Sequence, residues 1–484
     1  MAEVVILGAG VAGHTAALHL RRLLGRQHKV TVVSPNSQWN WIPSNIWVGV
    51  GEMARKDVVF PLAPVYARKG IGFHQARAVA LRPDGDRDDS RGAVDIEYTS
   101  PDRSGTTGRL RYDYLINATG PRLRFEATEG MGPGGYTQSV CTADHAVEAN
   151  EKLREVIAVL KSDTPQTLVV GMGHGTCTCE GAAFEYVFNV DHELREAGVR
   201  ELARVVYLTN EAALGDFGVD GMVFDQQGFQ TTSELWTGSL FRERGVEAIL
   251  GAHVSKVEER TIHYETLDGE SHTLAFDFAM LIPPFGGVPL KAFDADDRDI
   301  TAELFAPSGF MKVDADYTAK PYEEWRAEDW PTTYAAPGYD NIWAVGIAFA
   351  PPHQISRPLK TPNGTVVAPS PPRTGMPSGV MGKTVALTIA DRIRHGASAA
   401  PHTASMARMG AACVASAGTG LTKGSAAAMT MLPVVPDYQR YATGRDERET
   451  RGELGLHGHW VKLMLHHLFI YKAKARPGWQ LIPE

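Results

Sequence analysis

The first 35 residues constrain this chain more than any other stretch. Val4-Val5-Ile6-Leu7 is an apolar run of the length of a buried parallel strand. Gly8, Gly10 and Gly13 follow in G-x-G-x-x-G order with small residues between them. An amphipathic helix comes next, carrying Ala16, Ala17, Leu18, Leu20, Leu23 and Leu24 and closed by Gly25, and a second strand spans 29–33. The glycines allow a tight turn, bring backbone amides close to a pyrophosphate and let the helix pack on the strand, so that the helix N-terminus faces the negative charge. A glycine-rich turn alone is common; strand, motif, helix and strand in this order read as a dinucleotide-binding unit. The acidic residue that usually ends the second strand and holds the ribose hydroxyls is replaced by Ser34-Pro35-Asn36. Ser34 or Asn36 is then the candidate ribose contact.

A chain of 484 residues buries two or three cores, which predicts two large domains and an extension. The mild net charge of −8 argues against a nucleic-acid binder. No apolar run has the length of a membrane-spanning helix, and a glycine turn that begins at residue 8 leaves no room for a signal peptide. The expectation is a cytoplasmic protein, or a peripheral, monotopic one on the cytoplasmic side of a membrane. Four cysteines in such a chain do not make a disulfide framework.

Trp39, Trp41 and Trp47 fall within nine residues broken by Pro43 and asparagines. The stretch reads as an irregular loop, either packed on the core or forming a wall against a flat ring such as an isoalloxazine. Residues 84–108 are polar and charged, a hairpin-like or disordered excursion. The strand that follows runs into Ala118-Thr119-Gly120, a turn often set against the phosphates or linker of a flavin nucleotide. A helix is predicted over 142–160, then a second buried strand at 167–170 entering Gly171-Met172-Gly173-His174-Gly175-Thr176-Cys177-Thr178-Cys179-Glu180-Gly181, with a helix from Ala182. This second β-turn-α unit makes the expected fold α/β, two nested Rossmann-like dinucleotide-binding domains plus a C-terminal amphipathic-helix extension. Two cysteines stand where a nicotinamide nucleotide needs small residues, so the second turn is not read as a nucleotide site. Strands at 205–209 and 247–250 continue the second sheet, 278–285 ends it, and 341–348 is a strand-to-glycine turn returning to the first domain. Residues 351–377 hold eight prolines, a long loop with a function or mobility of its own, and 375–395 is mostly helix.

The last helix, about 457–474, places Trp460, Leu463, Met464, His467, Leu468 and Tyr471 on one face, with Lys462, Lys472, Lys474 and Arg476 around and after it. It is either a core-packed terminal helix or an interfacial one lying in lipid headgroups; a basic tail on a net acidic chain favours the second. The cysteines are open in the same way. Near a helix N-terminus a thiol has a depressed pKa and is nucleophilic, yet Cys177-x-Cys179 also suits small residues packed at a turn. No second pair at metal-site spacing is present, so no metal is expected.

In this order the segments resemble the sulfide:quinone oxidoreductase family, flavoproteins of the two-dinucleotide-domain disulfide reductase superfamily. The marks are Pro43-Ser44-Asn45 with Trp47-Val48-Gly49-Val50-Gly51, Cys141-Thr142-Ala143-Asp144-His145, and Cys179-x-Gly-x-Ala-Phe184-Glu185-Tyr186. Ile282-Pro283-Pro284-Phe285, Ala344-Val345-Gly346, Pro352, Pro372-Arg373-Thr374-Gly375 and Cys413 continue it nearly end to end.

The resemblance implies FAD across Gly8, Gly10, Gly13, Ser34, Thr119, Gly120 and Gly346. It implies Cys179 and Cys413 as the redox pair, Cys141 as sulfur acceptor or donor, and His145 and Glu185 as acid/base groups. Quinone would bind at Lys462, Pro352 and Phe349, and the membrane surface would be met through the last helix; a homo-oligomer is possible. The matching division is 1–140 and 291–400 for the FAD-binding domain, 141–290 for the second Rossmann-like domain, and 401–484 for a quinone- and membrane-interaction region. This chain departs from the family at Gly215-Asp216-Phe217-Gly218, where a histidine is usual and the proton carrier is absent or is Asp216; at Leu465, in place of an aromatic; and in the extra Cys177. The rival readings are a single-chain NADH:quinone oxidoreductase using the second turn, a sulfide dehydrogenase flavoprotein with a cytochrome acceptor, and a flavin-binding scaffold without turnover.

Overall fold

A computed structural model of the chain describes every residue except 227, 374, 419, 420 and 423, so Thr374 of the Pro372–Gly375 segment lies outside the described residues. The first unit is β1 (Glu3–Leu7), α1 (Val11–Leu24), β2 (Lys29–Ser34), β3 (Gly72–Arg82) and β4 (Tyr114–Asn117). The second is α2 (Ala143–Leu160), β5 (Gln166–Met172), α3 (Glu180–Glu196), β6 (Ala203–Leu208), β7 (Val246–Ile249) and β8 (Phe278–Ile282). The chain then returns through β9 (Ile342–Ala344) and α4 (Gly375–His395), and ends in β10 (Ala411–Ala417), β11 (Ser425–Met431), β12 (Arg451–Leu454) and α5 (Leu456–Ala473).

The first sheet has the parallel order β9-β4-β1-β2-β3, and the second the parallel order β7-β6-β5-β8. Strands β1, β4, β5 and β8 are buried on two faces, which explains the apolar runs there. Gly8 takes φ +97°, and a β-carbon there would meet Ala118 O at 2.1 Å; one on Gly13 would meet Gly8 O at 2.2 Å. The motif is therefore a packing requirement before it is a binding site. An antiparallel pair, Pro121–Leu123 with Phe285–Gly287, joins the two connections between the units.

Residues 84–108 form the ordered alternative. Ala93–Tyr98 and Thr107–Arg111 extend the first sheet, tied by Arg82, Arg109 and Arg111 to Asp86 and Asp95. A meander at His253–Glu258, Thr261–Glu265 and Ser271–Ala275 was not foreseen; its strands bury too few side chains to leave an apolar run.

The tryptophan stretch is regular, against expectation: Gln38–Asn40 pairs with Val59–Pro61, and Asn45–Gly49 is a helical turn. The distant partner strand supplies the order that local sequence does not. Nor do the rings form a wall for a ligand. Trp39 stacks on Trp41, Trp41 stacks at 4.7 Å on Phe469 of α5, and Trp47 Nε1 donates to Ser416 O of β10 at 2.9 Å. All three are buried, clasping the C-terminal segment to the first unit. The tail closes the same seam, since the Glu484 carboxylate forms ion pairs with Lys472 at 2.7 Å and with His19 of α1 at 2.8 Å.

The α4 helix crosses α1 where Gly382 meets it: a β-carbon there would stand 2.3 Å from Ala12 O. Gly382→Ala is expected to destabilise by about 1–3 kcal/mol through overpacking. Gly238→Ala, at a helical position where a β-carbon meets nothing within 4 Å, is expected to stabilise by about 0.5–1 kcal/mol. Paired thermal melts read the opposite signs.

Candidate active site

The C-terminal ends of β1, β2, β4 and β9 bring the predicted nucleotide residues to one edge of the first sheet, the usual ligand edge of such a fold. Gly8 N donates to Val33 O at 2.7 Å, Ala118 N to Leu7 O at 2.7 Å and Val345 N to Asn117 O at 2.9 Å, so the four strand ends are laced together. Within this lacing Gly10 and Gly120 face open space: a β-carbon on either meets nothing within 4 Å. The first turn of α1 carries no acidic side chain. An open glycine turn on a helix N-terminus without negative charge fits a pyrophosphate. Ser34 is buried at the end of β2 with its hydroxyl accepting from Asn36 N at 3.3 Å. Thr119 turns its hydroxyl to Asn117 Oδ1 at 2.8 Å, and Gly346 holds φ +65° against α1.

The second turn is closed. A β-carbon on Gly171 would meet Leu208 O at 1.8 Å, on Gly173 the Met131 sulfur at 2.0 Å, and on Gly175 Val366 O at 2.4 Å. The proline-rich segment lies across this turn: Ala368 N donates to Gly175 O and Ser370 N to Cys177 O, both at 2.8 Å. Those carbonyls and that space are already taken by the chain itself.

The thiols gather at the N-terminus of α3. Cys179 is its N-cap residue, in the left-handed region at φ +76°. Cys413, on β10, reaches the same helix turn: its sulfur lies 2.7 Å from where a β-carbon on Gly181 would be. Cys141, just before α2, is close enough to act electrostatically on both Cys177 and Cys179. The two cysteines predicted as a pair, 234 residues apart, thus meet one helix end, the difference between 413 and 179. Cys177 is different; it is fully buried and its thiol donates to Ile282 O at 3.1 Å.

The expected depressed thiol pKa is not found. Burial pushes Cys179 and Cys413 up to about 12 and Cys141 to about 11. A helix end contributes about 0.3–1 kcal/mol, less than one pKa unit, and desolvation exceeds it. The cation that helps Cys179 is Arg373, a buried guanidinium that donates to Phe349 O and Ile347 O and leaves Nε without a partner among the described residues. Arg373 and Gly181 stand in the quoted sequence segments without a role of their own; close approach to a cysteine leaves no local sequence signal.

Behind Cys413 the structure joins two residues to which the family resemblance gave separate roles. Lys462 Nζ of α5 pairs with Glu185 Oε2 of α3 at 2.9 Å, and both are buried. Ser416 N donates to Glu185 Oε1 at 3.3 Å, and Lys462 stands 5.8 Å from the Trp47 ring centroid. Burial pushes the Glu185 carboxyl up against the pull of the ammonium. Phe349 is fully buried against Tyr334 and Trp330, and Pro352 is half-buried nearby in sequence. His145 packs edge-on against Phe125 at 5.8 Å, its Nδ1 buried without a partner among the described residues and its pKa lowered by burial.

The last helix is inside out. His459, Lys462, His466 and Lys472 point inward and are buried, while Trp460, Val461, Met464 and Leu468 are 37–53% exposed. Among the described residues no helix is long and apolar enough to cross a membrane.

Residues 2–289 match the pyridine nucleotide-disulphide oxidoreductase family model. The chain is 29% identical over 474 residues to a sulfide-quinone reductase of Aquifex aeolicus, covering 98% of this chain and 91% of that protein. It is 25% identical over 325 residues to a mitochondrial sulfide:quinone oxidoreductase of Mus musculus, across 64% of this chain and 61% of the mouse protein. In three dimensions it superposes on the crystal structure of the sulfide:quinone oxidoreductase from Aquifex aeolicus with a TM-score of 0.75 and 26% identity, over 98% and 92% of the two chains. NDH2 of Plasmodium falciparum shares the fold alone, with a TM-score of 0.64 at 13% identity. The chain belongs to the pyridine nucleotide-disulphide oxidoreductases and, among them, to the FAD-dependent oxidoreductases of the sulfide:quinone oxidoreductase family.

Proposed function

We propose that this protein oxidises sulfide at a Cys179–Cys413 sulfur bridge and delivers the electrons to a membrane quinone. The observation that carries the reading is the meeting of Cys413 with the Cys179 turn across Gly181, in a chain whose first sheet also carries an open glycine cradle. In the oxidised state the two sulfurs are bonded. A hydrosulfide ion attacks one of them, a new S–S bond forms as the old one breaks, and the products are a persulfide on one cysteine and a thiolate on the other. Cys141, within electrostatic reach of Cys179, takes the sulfur on or hands it out as the chain of sulfur grows. His145 and Glu185 are the acid/base groups on this side.

Gly8, Gly10, Gly13, Ser34, Thr119, Gly120 and Gly346 would hold FAD, which would supply a two-electron acceptor. Arg373 sets a fixed positive charge between the Gly346 turn and Cys179, where negative charge develops on the sulfur. Quinone is placed between the proline-rich loop and α5, near Lys462, Pro352 and Phe349, with the Lys462–Glu185 pair as its polar neighbour. The outward apolar face of α5, basic at its end, rests in the headgroup region and makes the protein peripheral on the cytoplasmic side. The closed second turn speaks against the NADH reading.

Cys179→Ser and Cys413→Ser are each expected to slow anaerobic bleaching of the flavin by sulfide on the order of 10²-fold or more, while Cys177→Ser keeps most of the rate. Bleaching of the unmodified protein by NADH but not by sulfide overturns the reading. The combined variant Trp460→Ser, Met464→Ser, Leu468→Ser removes roughly 1 kcal/mol of lipid burial per side chain, so vesicle binding falls on the order of 10²-fold. Sulfide bleaching is unchanged in that variant; co-sedimentation with lipid vesicles and stopped-flow absorbance measure the two.

A further inference from the structure

The strand that carries Cys413 is an edge strand: β11 flanks β10 on one side, and on the other no strand joins it among the described residues. Backbone groups on such an edge need other partners when they are buried. Here side chains from three other elements take them. Ser416 N donates to Glu185 Oε1 at 3.3 Å, and Val414 O accepts from Lys462 Nζ at 3.4 Å. Ser416 O accepts from Asn189 Nδ2 at 2.8 Å and from Trp47 Nε1 at 2.9 Å. Glu185 and Asn189 stand one turn apart on α3, Lys462 on α5, and Trp47 on the helical turn of the first unit. All four side chains are buried, as is Ser416. The Glu185–Lys462 ion pair at 2.9 Å closes the ring, so the two ends of one salt bridge hold the strand on either side of Ala415.

These contacts settle what the strands themselves leave open. β10 reads Ala-Ala-Cys-Val-Ala-Ser-Ala and β11 Ser-Ala-Ala-Ala-Met-Thr-Met. Side chains so small and so alike distinguish one register from the next poorly, and a one-residue slip turns every side chain of a strand to the opposite face. For Cys413 that slip means leaving α3. In the observed register its sulfur fills the notch at Gly181, and residues 414 and 416 present their backbone groups to the same edge. Lys462, Glu185 and Asn189 read that edge. A buried charge is costly without its partner, so the ammonium and the carboxylate stay together and the clamp stays shut. Burial pushes the Cys413 thiol up to about 12; beyond that the carboxylate raises it and the ammonium lowers it, so both ends of the pair face the sulfur with opposed effects.

We propose that Glu185, Lys462 and Asn189 are positioning residues that hold β10 in the one register where Cys413 reaches Cys179. The role is additional to the acid/base and quinone places given to two of them, and it rests on the Cys179–Cys413 bridge of the function proposed above. What they favour is closure of that bridge. The two thiols give up two protons and two electrons, one S–S bond forms between them, and a disulfide oxidant takes the protons and electrons to become two thiols. Closure requires the two sulfurs at bonding distance with little freedom to part, which is what a fixed register supplies.

The test is the bridge equilibrium of the FAD-loaded protein in anaerobic mixtures of reduced and oxidised glutathione. A Cys177→Ser background leaves Cys179 as the only thiol of its segment able to bond. Acid quenching, alkylation and peptide mass spectrometry give the bridged fraction. Glu185→Gln and Lys462→Met each strand one charge and are expected to lower the bridge constant on the order of 10-fold or more. The double variant keeps an acceptor for Ser416 N and strands nothing, so it recovers to within a few-fold of the parent and carries the test if a single variant does not fold. Asn189→Leu removes a donor to Ser416 O and lowers the constant several-fold. Ile262→Ala, in the separate core under the meander, lowers the melting temperature but leaves the bridge constant unchanged. Single variants with the parent constant, a double variant whose loss is the product of the single losses, or an equal loss in Ile262→Ala overturns the positioning role alone. A parent protein in which Cys179 and Cys413 do not bond at any glutathione ratio sinks the bridge itself and the positioning with it.

Discussion

The site depends on one place where a side chain is missing. Cys413 reaches the α3 turn because Gly181 leaves room for a sulfur where any other residue would put a β-carbon 2.7 Å away. Everything C-terminal to α4 serves that approach: β10 carries the cysteine, β11 and β12 hold β10, and the tryptophans of the first unit grip β10 and α5. Close approach of backbone to a reactive group is the reason such glycines exist. The chain therefore closes a loop of more than two hundred residues to bring two small side chains to one helix end.

Much of this was legible. Both glycine turns, their strands and the helices over 142–160, 375–395 and 457–474 follow from apolar runs and periodicity, because buried parallel strands and amphipathic helices write their environment into consecutive residues. The antiparallel sheet around Cys413 did not show, since Ala, Ser and Gly carry little strand signal and its order comes from packing on α3. The seam roles of Trp39, Trp41 and Trp47 were hidden for a related reason: their partners Phe469 and Ser416 lie more than three hundred residues downstream. At the site the sequence names the thiols and Glu185, but not that Glu185 and Lys462 form a single buried pair.

The electrostatics run against the simplest reading of a reactive cysteine. A helix N-terminus alone does not ionise a thiol that has left water, and here Cys141, Cys179 and Cys413 are all pushed up. Burial outweighs the pull of the nearby Arg373 guanidinium on Cys179, so the site holds no standing thiolate there. The Lys462–Glu185 pair is the opposite case. Its two charges neutralise each other away from water, where removing either partner would strand the other.

The inverted face of α5 has one more consequence. With about 100° between successive residues, a small rotation of the helix about its own axis would swing Lys462 or Lys472 outward and drive Trp460 or Met464 into the polar interior. Both displacements are unfavourable, so the buried cations act as keys that set the rotational phase of the helix from within. The greasy stripe is aimed by charges on the far side of the same cylinder, and the orientation is fixed before any lipid is met.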